Sequence, residues 1–467
     1  MISGHQPPSN RDVRMRPVHL HVALPTSEYI IPPDRLDGGL ATYVQKVGGA
    51  LVKRGHRVSV YCLSDRDSDW MDEGVHVYEV RAEPRGALWG PSRILRPVLE
   101  LQRIIENSSR LAARLMATDT EQSIDIVQAA PNHAVAMALC NNGKFPLISR
   151  VSSASRLWRQ AHGQAITPSA LVTDWCEAYQ LEHSDGSISP SEVMAKYYSR
   201  SFAANPRLLR TPVEAQMPAW DDSFYQEHLS GRKYLLYSGD LNRVKGIEVI
   251  SAAIGPVLEE FPELHFVFIG RQYTAKNGRS YMENLLGDNK RWDQNIHYFA
   301  SLPKRQLFSV VQNAYGILLP SLIDNYPNSC LEAMQFGRIV VGTRDTSIDE
   351  MIVDGHTGIL VDAGNARSLQ AGIVRLLKLT ATAKKDMERR VARAFEGFVA
   401  EDRVGQLIEF YHAAIGEYNS AHHHAPMIGK KVLPAKSRKS QLWLGVLGEG
   451  VNDAVRAIGN LRSSLLR

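Results

Sequence analysis

Asp324 and Glu332 are the residues whose types and spacing most clearly offer chemistry. Seven residues separate them within Pro320-Ser321-Leu322-Ile323-Asp324-Asn325-Tyr326-Pro327-Asn328-Ser329-Cys330-Leu331-Glu332-Ala333-Met334. An apolar run ends at Pro320, a polar loop follows, and a helical pattern opens near Ser329. Carboxylates accept hydrogen bonds from vicinal hydroxyls, and the unsatisfied amides of a helix start hold an anion. Asp324 on the loop and Glu332 about one turn into the helix therefore flank a phosphate site at Asn328 and Ser329. That layout matches the parts of a nucleotide sugar.

Two further segments supply matching groups. Gly239-Asp240-Leu241-Asn242-Arg243-Val244-Lys245-Gly246 follows the apolar run Tyr234–Ser238. Lys245 can place an ammonium on a diphosphate, and Arg243 can add a forked donor. Asp37-Gly38-Gly39-Leu40 precedes a helical pattern, where paired glycines let backbone approach a ligand. Alone, each has a plain alternative: Gly-Gly is common in turns, and a lysine at a helix start is usually only solvated. Their shared placement after strands is what gives them weight.

The elements that must position these residues alternate between short β-rich runs and longer helical patterns, twice over. In the first half the strand candidates are Val18–Leu24, Arg57–Leu63, Val75–Val80, Asp125–Ala130, Leu147–Ser152 and Gly186–Ser189. Leu40, Val44, Val47 and Leu51 recur at one-face helical spacing, and Gly55 stands where that helix should stop. The second half gives strands at Tyr234–Ser238, His265–Ile269, Ile296–Phe299, Gly316–Pro320, Ile339–Thr343 and Ile359–Val361. Helices are expected between them at Ile247–Glu260, Lys304–Asn313, Ser329–Gln335 and Ala366–Lys378. Near-continuous apolar strands alternating with helices predict parallel sheets covered on both faces. The fold class is thus α/β, with two Rossmann-like domains facing across a cleft and ligands at the carboxyl ends of the strands. The expected division is 1–17 disordered, 18–215 a first domain, 216–400 a second, 401–420 a helix crossing back to the first, and 421–467 a basic linker with an amphipathic helix. The proline-bearing stretch between Phe202 and Gly231 is the expected linker, and Phe395–Tyr418 reads as one long amphipathic helix.

These motifs together resemble the family-4, or group 1, retaining glycosyltransferases of the GT-B fold. Their signature is an acidic pair with the spacing of Asp324 and Glu332. Leu331-Glu332-Ala333-Met334, Gly337, Val340-Val341-Gly342-Thr343, Glu350, Gly355 and Gly358 before Ile359-Leu360-Val361 extend the likeness, as do Gly38-Gly39 and Gly55-His56. The resemblance spans roughly Val18 to Tyr418. It implies transfer of a hexose from a nucleotide sugar to a saccharide or lipid-linked acceptor with retention, in polysaccharide or cell-envelope glycan synthesis. It implies that Asp324 binds donor-sugar hydroxyls, Glu332 the ribose, and Lys245 the diphosphate, helped by amides at Asn328 and Ser329. Gly39, beside Gly38, would approach the phosphates from the first domain, and Gly270 and Arg271 would lie near the base. No metal and no cofactor are expected, since Lys245, Arg243 and helix dipoles can do the work of a cation. The acidic pair then reads as clamps at the two ends of one donor, not as the acid and base of a glycoside hydrolase.

Two departures matter. The family often has Arg directly after the glycine of the diphosphate motif, where this chain has Asp240. It often has a His after a first-domain strand near the transferred sugar, where this chain reads Ser152-Ser153; His133, in an earlier loop, is the candidate for a functional His. These departures keep open an inactive GT-B-like binding protein, beside another GT-B enzyme such as a nucleotide-sugar epimerase.

Composition sets the remaining bounds. The chain has 467 residues, 44% hydrophobic and 22% charged, ample for two cores. Its apolar runs are too short to cross a bilayer, and no signal peptide is read at the start. Cys62, Cys140, Cys176 and Cys330 lie far apart, as reduced thiols would. The net charge is +5, and the segment from Ala425 carries eight Lys or Arg against two acids, which leaves the remainder near −1. A basic tail on a near-neutral body argues against nucleic acid as partner and for an attachment surface, with anionic lipid as one choice. His422-His423-His424 reads as a solvated spacer more readily than as a metal site. Trp443, Leu447, Val451, Val455, Ile458, Leu461 and Leu465 then recur at helical spacing. The expected location is cytoplasmic, with this tail either at the inner face of the cell membrane or packed on the body.

Overall fold

The computed structural model describes residues 19–30, 38–83, 96–213 and 220–423. The expected disordered segment 1–17 and the amphipathic tail from His424 onward lie outside them. The first sheet has eight strands: β1 His21–Thr26, β2 Arg57–Ser64, β3 Ser68–Asp72, β4 Val75–Arg81, β5 Ile126–Ala129, β6 Leu147–Arg150, β7 Gly186–Ser189 and β8 Arg207–Leu208. Their order is β3-β4-β2-β1-β5-β6-β7-β8, parallel throughout except for β3 against β4. The second sheet has β9 Lys233–Ser238, β10 Leu264–Ile269, β11 Ile296–Phe299, β12 Gly316–Leu319, β13 Val340–Thr343 and β14 Ile359–Val361. Its order is β11-β10-β9-β12-β13-β14, all parallel.

Both faces of the second sheet are buried, and the alternation along its strands shows how. Leu235, Tyr237, Phe266 and Phe268 enter one apolar cluster; Tyr234, Leu236, Val267 and Ile269 enter the other. Successive side chains of a strand point to opposite faces, so a run apolar at every position needs helices on both sides. Helix Ile247–Glu260 covers the first face with Ile247, Ile250, Ile254 and Val257, and helix Lys304–Asn313 covers the second with Phe308 and Val311.

The chain returns to the first sheet at its end. The amphipathic run expected over Phe395–Tyr418 is two helices, Ala381–Ala400 and Arg403–His423, broken at Glu401 and Asp402. Asp402 pairs with Arg54 of the first domain, and buried Arg403 donates to the carbonyl of Thr211. Leu407 and Tyr411 are buried in the first sheet's core, where the Tyr411 hydroxyl meets Gln128 of β5 at 2.9 Å. Burying two such side chains contributes about 1.5–3 kcal/mol each. The helix passes the expected end at residue 420 and takes in His422 and His423, which therefore do not open a linker.

Candidate functional site

In an open parallel sheet a crevice forms where neighbouring strands are connected in opposite directions. In the second sheet that point lies between β9 and β12, and the two strongest motifs are the loops that leave those strands. They meet at backbone level. A Cβ on Gly246, whose φ is +81, would lie 2.1 Å from the carbonyl oxygen of Pro320, so only glycine fits. The amide of Leu322 donates to the carbonyl of Val244 at 2.7 Å.

This contact brings Lys245 and Asp324 together. The Lys245 Nζ stands 2.8 Å from Asp324 Oδ2, with Lys245 one-third exposed and Asp324 almost covered. Asp324 also accepts from the Ser321 hydroxyl at 2.8 Å and the Asn325 amide at 3.0 Å. Helix Asn328–Gln335 begins just beyond, and no side chain caps its first turn. Glu332 lies one turn inside it. Burial raises the Glu332 pKa, while the ammoniums of Lys304 and Lys46 act against that shift. Lys46 belongs to helix Gly39–Lys53 of the first domain, so its charge is felt at Glu332 from the other domain.

Several contacts fix how the carboxyl ends of the two sheets face each other. Asn325, next to Asp324, donates to the carbonyls of Ser152 and Val151 beyond β6 and accepts from the Ser191 hydroxyl beyond β7 at 2.6 Å. Glu350 accepts from the amides of Glu192 and Val193, both at 2.9 Å, and from Arg210 at 3.1 Å. One domain's carboxylate thus caps the other's helix Glu192–Ser201, where the helix dipole favours it. Lys276 Nζ also donates between the domains, to the carbonyl of Gly163 at 2.6 Å, and burial and the nearby Arg243 guanidinium lower the His162 pKa.

The other expected residues take definite places. Gly38 and Gly39 open their helix beyond β1, and among the described residues nothing lies within 4 Å of a Cβ placed on Gly39. Arg243 leans on Glu248 at 3.5 Å. Gly270 ends β10 with φ +152, packed on the Gly239 carbonyl, and Arg271 turns onto Asp240. His133 lies beyond β5, whose neighbour β1 forms the first sheet's own crevice. Its backbone is left-handed, φ +56, and its amide donates to Glu177 at 3.0 Å. Glu177 also accepts the Ser155 hydroxyl at 2.5 Å; burial outweighs these bonds and pushes its pKa up to about 7.

Sequence reasoning missed Lys46, Asn325 and Glu177, and quoted Glu350 without a role. Their partners lie far away along the chain, and only Asn325, beside Asp324, carried a local signal. A cavity of about 680 Å³ lies behind helix Ile247–Glu260, lined by Glu248, Ser251, Asn284 and Asp288; the residues Lys245, Asp324 and Glu332 are not part of it. Among the described residues no cluster of His, Cys, Asp and Glu is placed to hold a metal ion.

The site is thus a two-domain α/β frame with a lysine, an acidic pair and an open helix start at its strand ends. Residues 219–394 match the family model for glycosyl transferases group 1, and residues 38–214 match that for the glycosyl transferase 4-like domain. Together these take in more than half of the chain, which belongs to the group 1 glycosyltransferases and is a glycosyltransferase of the GT-B fold. It is similar to the D-inositol 3-phosphate glycosyltransferase of Arthrobacter sp. (strain FB24), 22% identical over 86% of this chain and 96% of that protein. It is also similar to the glycogen synthase of Mycobacterium tuberculosis (strain ATCC 25618 / H37Rv), 24% identical over 76% of this chain and 86% of that one. Among solved structures, sucrose-phosphate synthase from Thermosynechococcus elongatus superposes with a TM-score of 0.66 at 19% identity, covering 85% of this chain and all of that one. Anabaena HepE in complex with UDP-glucose gives 0.61 at 12% identity, covering 86% and 100%. At those identities the likeness concerns the fold.

Proposed function

We propose that this glycosyltransferase moves a hexose from a nucleoside-diphosphate sugar to a saccharide or lipid-linked acceptor, with retention at the anomeric carbon. The observation that carries this reading is the Lys245–Asp324 pair at the crevice of the second sheet, beside the open start of helix Asn328–Gln335. Lys245 and the amides of Asn328 and Ser329 take the diphosphate, Asp324 the sugar hydroxyls and Glu332 the ribose. Gly38 and Gly39 close on the phosphates from the first domain. The bond between the anomeric carbon and the leaving phosphate oxygen breaks as the acceptor oxygen bonds to that carbon from the same face, and the acceptor hydroxyl's proton passes to the departing phosphate oxygen. Negative charge grows on the diphosphate, where the ammonium and helix amides are already aimed. Holding the acceptor in reach supplies the rest, with His133 on the acceptor side. HepE, a structural neighbour, holds UDP-glucose, which supports a donor of this class. Polysaccharide or cell-envelope glycan assembly is the pathway class proposed, at the cytoplasmic side of the membrane; no described helix is long and apolar enough to cross it.

Hydrolysis of UDP-, GDP- and ADP-sugars by the purified chain, with the product anomer read by NMR, tests this directly. One donor class should be consumed and its anomeric configuration kept. Inversion would refute retention, and a full panel left untouched and unbound would refute the donor assignment. Asp240 at the head of the diphosphate loop favours a second reading, a protein that binds a nucleotide sugar without turning it over. It predicts binding with no release of nucleoside diphosphate.

A further inference from the structure

The loop Gly239–Gly246 must receive a dianionic diphosphate if the proposed donor reading holds, yet it opens with an acid. Asp240 shares six residues of chain with Lys245 and has only one-third of its side chain exposed. A bare carboxylate there would repel the ligand that Lys245 attracts. The structure does not leave it bare. Arg271 donates to both its oxygens, Nε to Oδ1 and Nη2 to Oδ2, each at 3.2 Å. The Tyr273 hydroxyl donates to Oδ2 at 3.2 Å as well.

This pairing follows from the backbone. β9 and β10 are adjacent and parallel, so their carboxyl ends come out side by side. Gly239 and Gly270 end them with φ +148 and +152, and a Cβ on Gly270 would lie 1.9 Å from the Gly239 carbonyl oxygen. The Leu241 amide donates to the Arg271 carbonyl at 2.8 Å, and the Tyr237 hydroxyl holds the Asp240 carbonyl at 2.5 Å. Two residues 31 apart in sequence are thereby held in one register. A planar fork matched to a carboxylate keeps its geometry better than a single ammonium would.

We propose that Arg271 is a positioning residue that masks the charge of Asp240, so that the two together set the affinity of the loop for a nucleoside diphosphate. The inference rests on the donor reading above and adds a sign to each residue: Asp240 opposes the ligand, and Arg271 acts by cancelling it. One unit charge left uncancelled, facing the diphosphate at the far side of a short loop, changes binding by about tenfold.

The test is calorimetric binding of UDP, GDP and ADP to the wild-type chain, then of whichever binds tightest to D240A, R271A and the double variant. R271A should bind about tenfold more weakly, and D240A more tightly than wild type, because Arg271 then acts unopposed. The double variant should return to within about threefold of wild type, and the R271A deficit should shrink as salt is raised. A merely structural role for the half-exposed pair would produce neither the rescue nor the salt dependence. A double variant as weak as R271A would show that Arg271 touches the nucleotide itself and would overturn the masking role, as would an unaffected R271A. If the wild-type chain binds none of the three, the donor reading falls and this inference with it.

Discussion

Replacing Lys245 by Ala perturbs the proposed leaving-group site with little disturbance elsewhere. The Lys245 ammonium is one-third exposed and bonds Asp324 at 2.8 Å, and Asp324 keeps the Ser321 hydroxyl and the Asn325 amide when it is gone. A partly exposed pair of this kind contributes about 1 kcal/mol or less to stability. The melting temperature should then fall by roughly 2–4 °C at most. The catalytic loss should be far larger. A unit charge about 4 Å from the growing phosphate charge is worth about 4 kcal/mol at an effective dielectric of about 20. Loss of a single preorganised donor to an oxyanion costs about 10²–10³ in kcat. Lys245→Ala should therefore lower kcat by about two to three orders of magnitude, read as release of nucleoside diphosphate, with thermal melts run in parallel. Near-normal turnover in a well-folded variant would refute the role given to Lys245, and collapse of the fold would show that the pair is structural.

Other outcomes follow from particular contacts. Asn325→Ala should raise the acceptor KM more than the donor KM, since its amide ties the Asp324 loop to Ser152 and Val151 of the opposite domain; equal changes would deny that coupling. Glu350→Gln should cost about 1–3 kcal/mol of stability by removing a charged acceptor from two helix amides and Arg210, measured by urea titration. Glu177 is raised from 4.5 to about 7 by burial, so the folded state binds its proton more tightly than the unfolded state. Its stabilising contribution is full below pH 4.5 and is lost as pH rises through about 7, a window that Glu177→Gln should flatten in melts. With the diphosphate charge assigned to Lys245 and helix amides, turnover should persist in EDTA; full loss restored by Mg²⁺ would overturn that assignment. Removal of residues Ala425–Arg467 should weaken co-sedimentation with anionic vesicles, and unchanged binding would discard the basic tail as a membrane contact.

Periodicity made most of the frame legible. The helices expected at Ile247–Glu260 and Lys304–Asn313 hold end to end, because each has an unbroken apolar face against the second sheet. β3 was not read, since Ser68–Asp72 is polar and lies antiparallel at a sheet edge, where burial demands little. β8 is only two residues long. The break at Glu401 and Asp402 was hidden because apolar spacing continues through it; Arg403 turns inward there to meet Thr211. In the site, Lys245, Asp324 and Glu332 were visible because each stands in a loop after a strand or within about one turn of a helix start. Asn325 meets Ser152 across 173 residues of chain, and Arg271 finds Asp240 only because two glycine-ended strands come out together. Such partners are set by sheet order, which no local pattern contains.

The most direct test of the donor assignment is a structure of the chain with the nucleotide sugar that the hydrolysis panel selects. The diphosphate should lie between Lys245 and the amides of Asn328 and Ser329, the sugar hydroxyls on Asp324 and the ribose on Glu332. A donor bound in the opposite direction, or away from the crevice between β9 and β12, would contradict it.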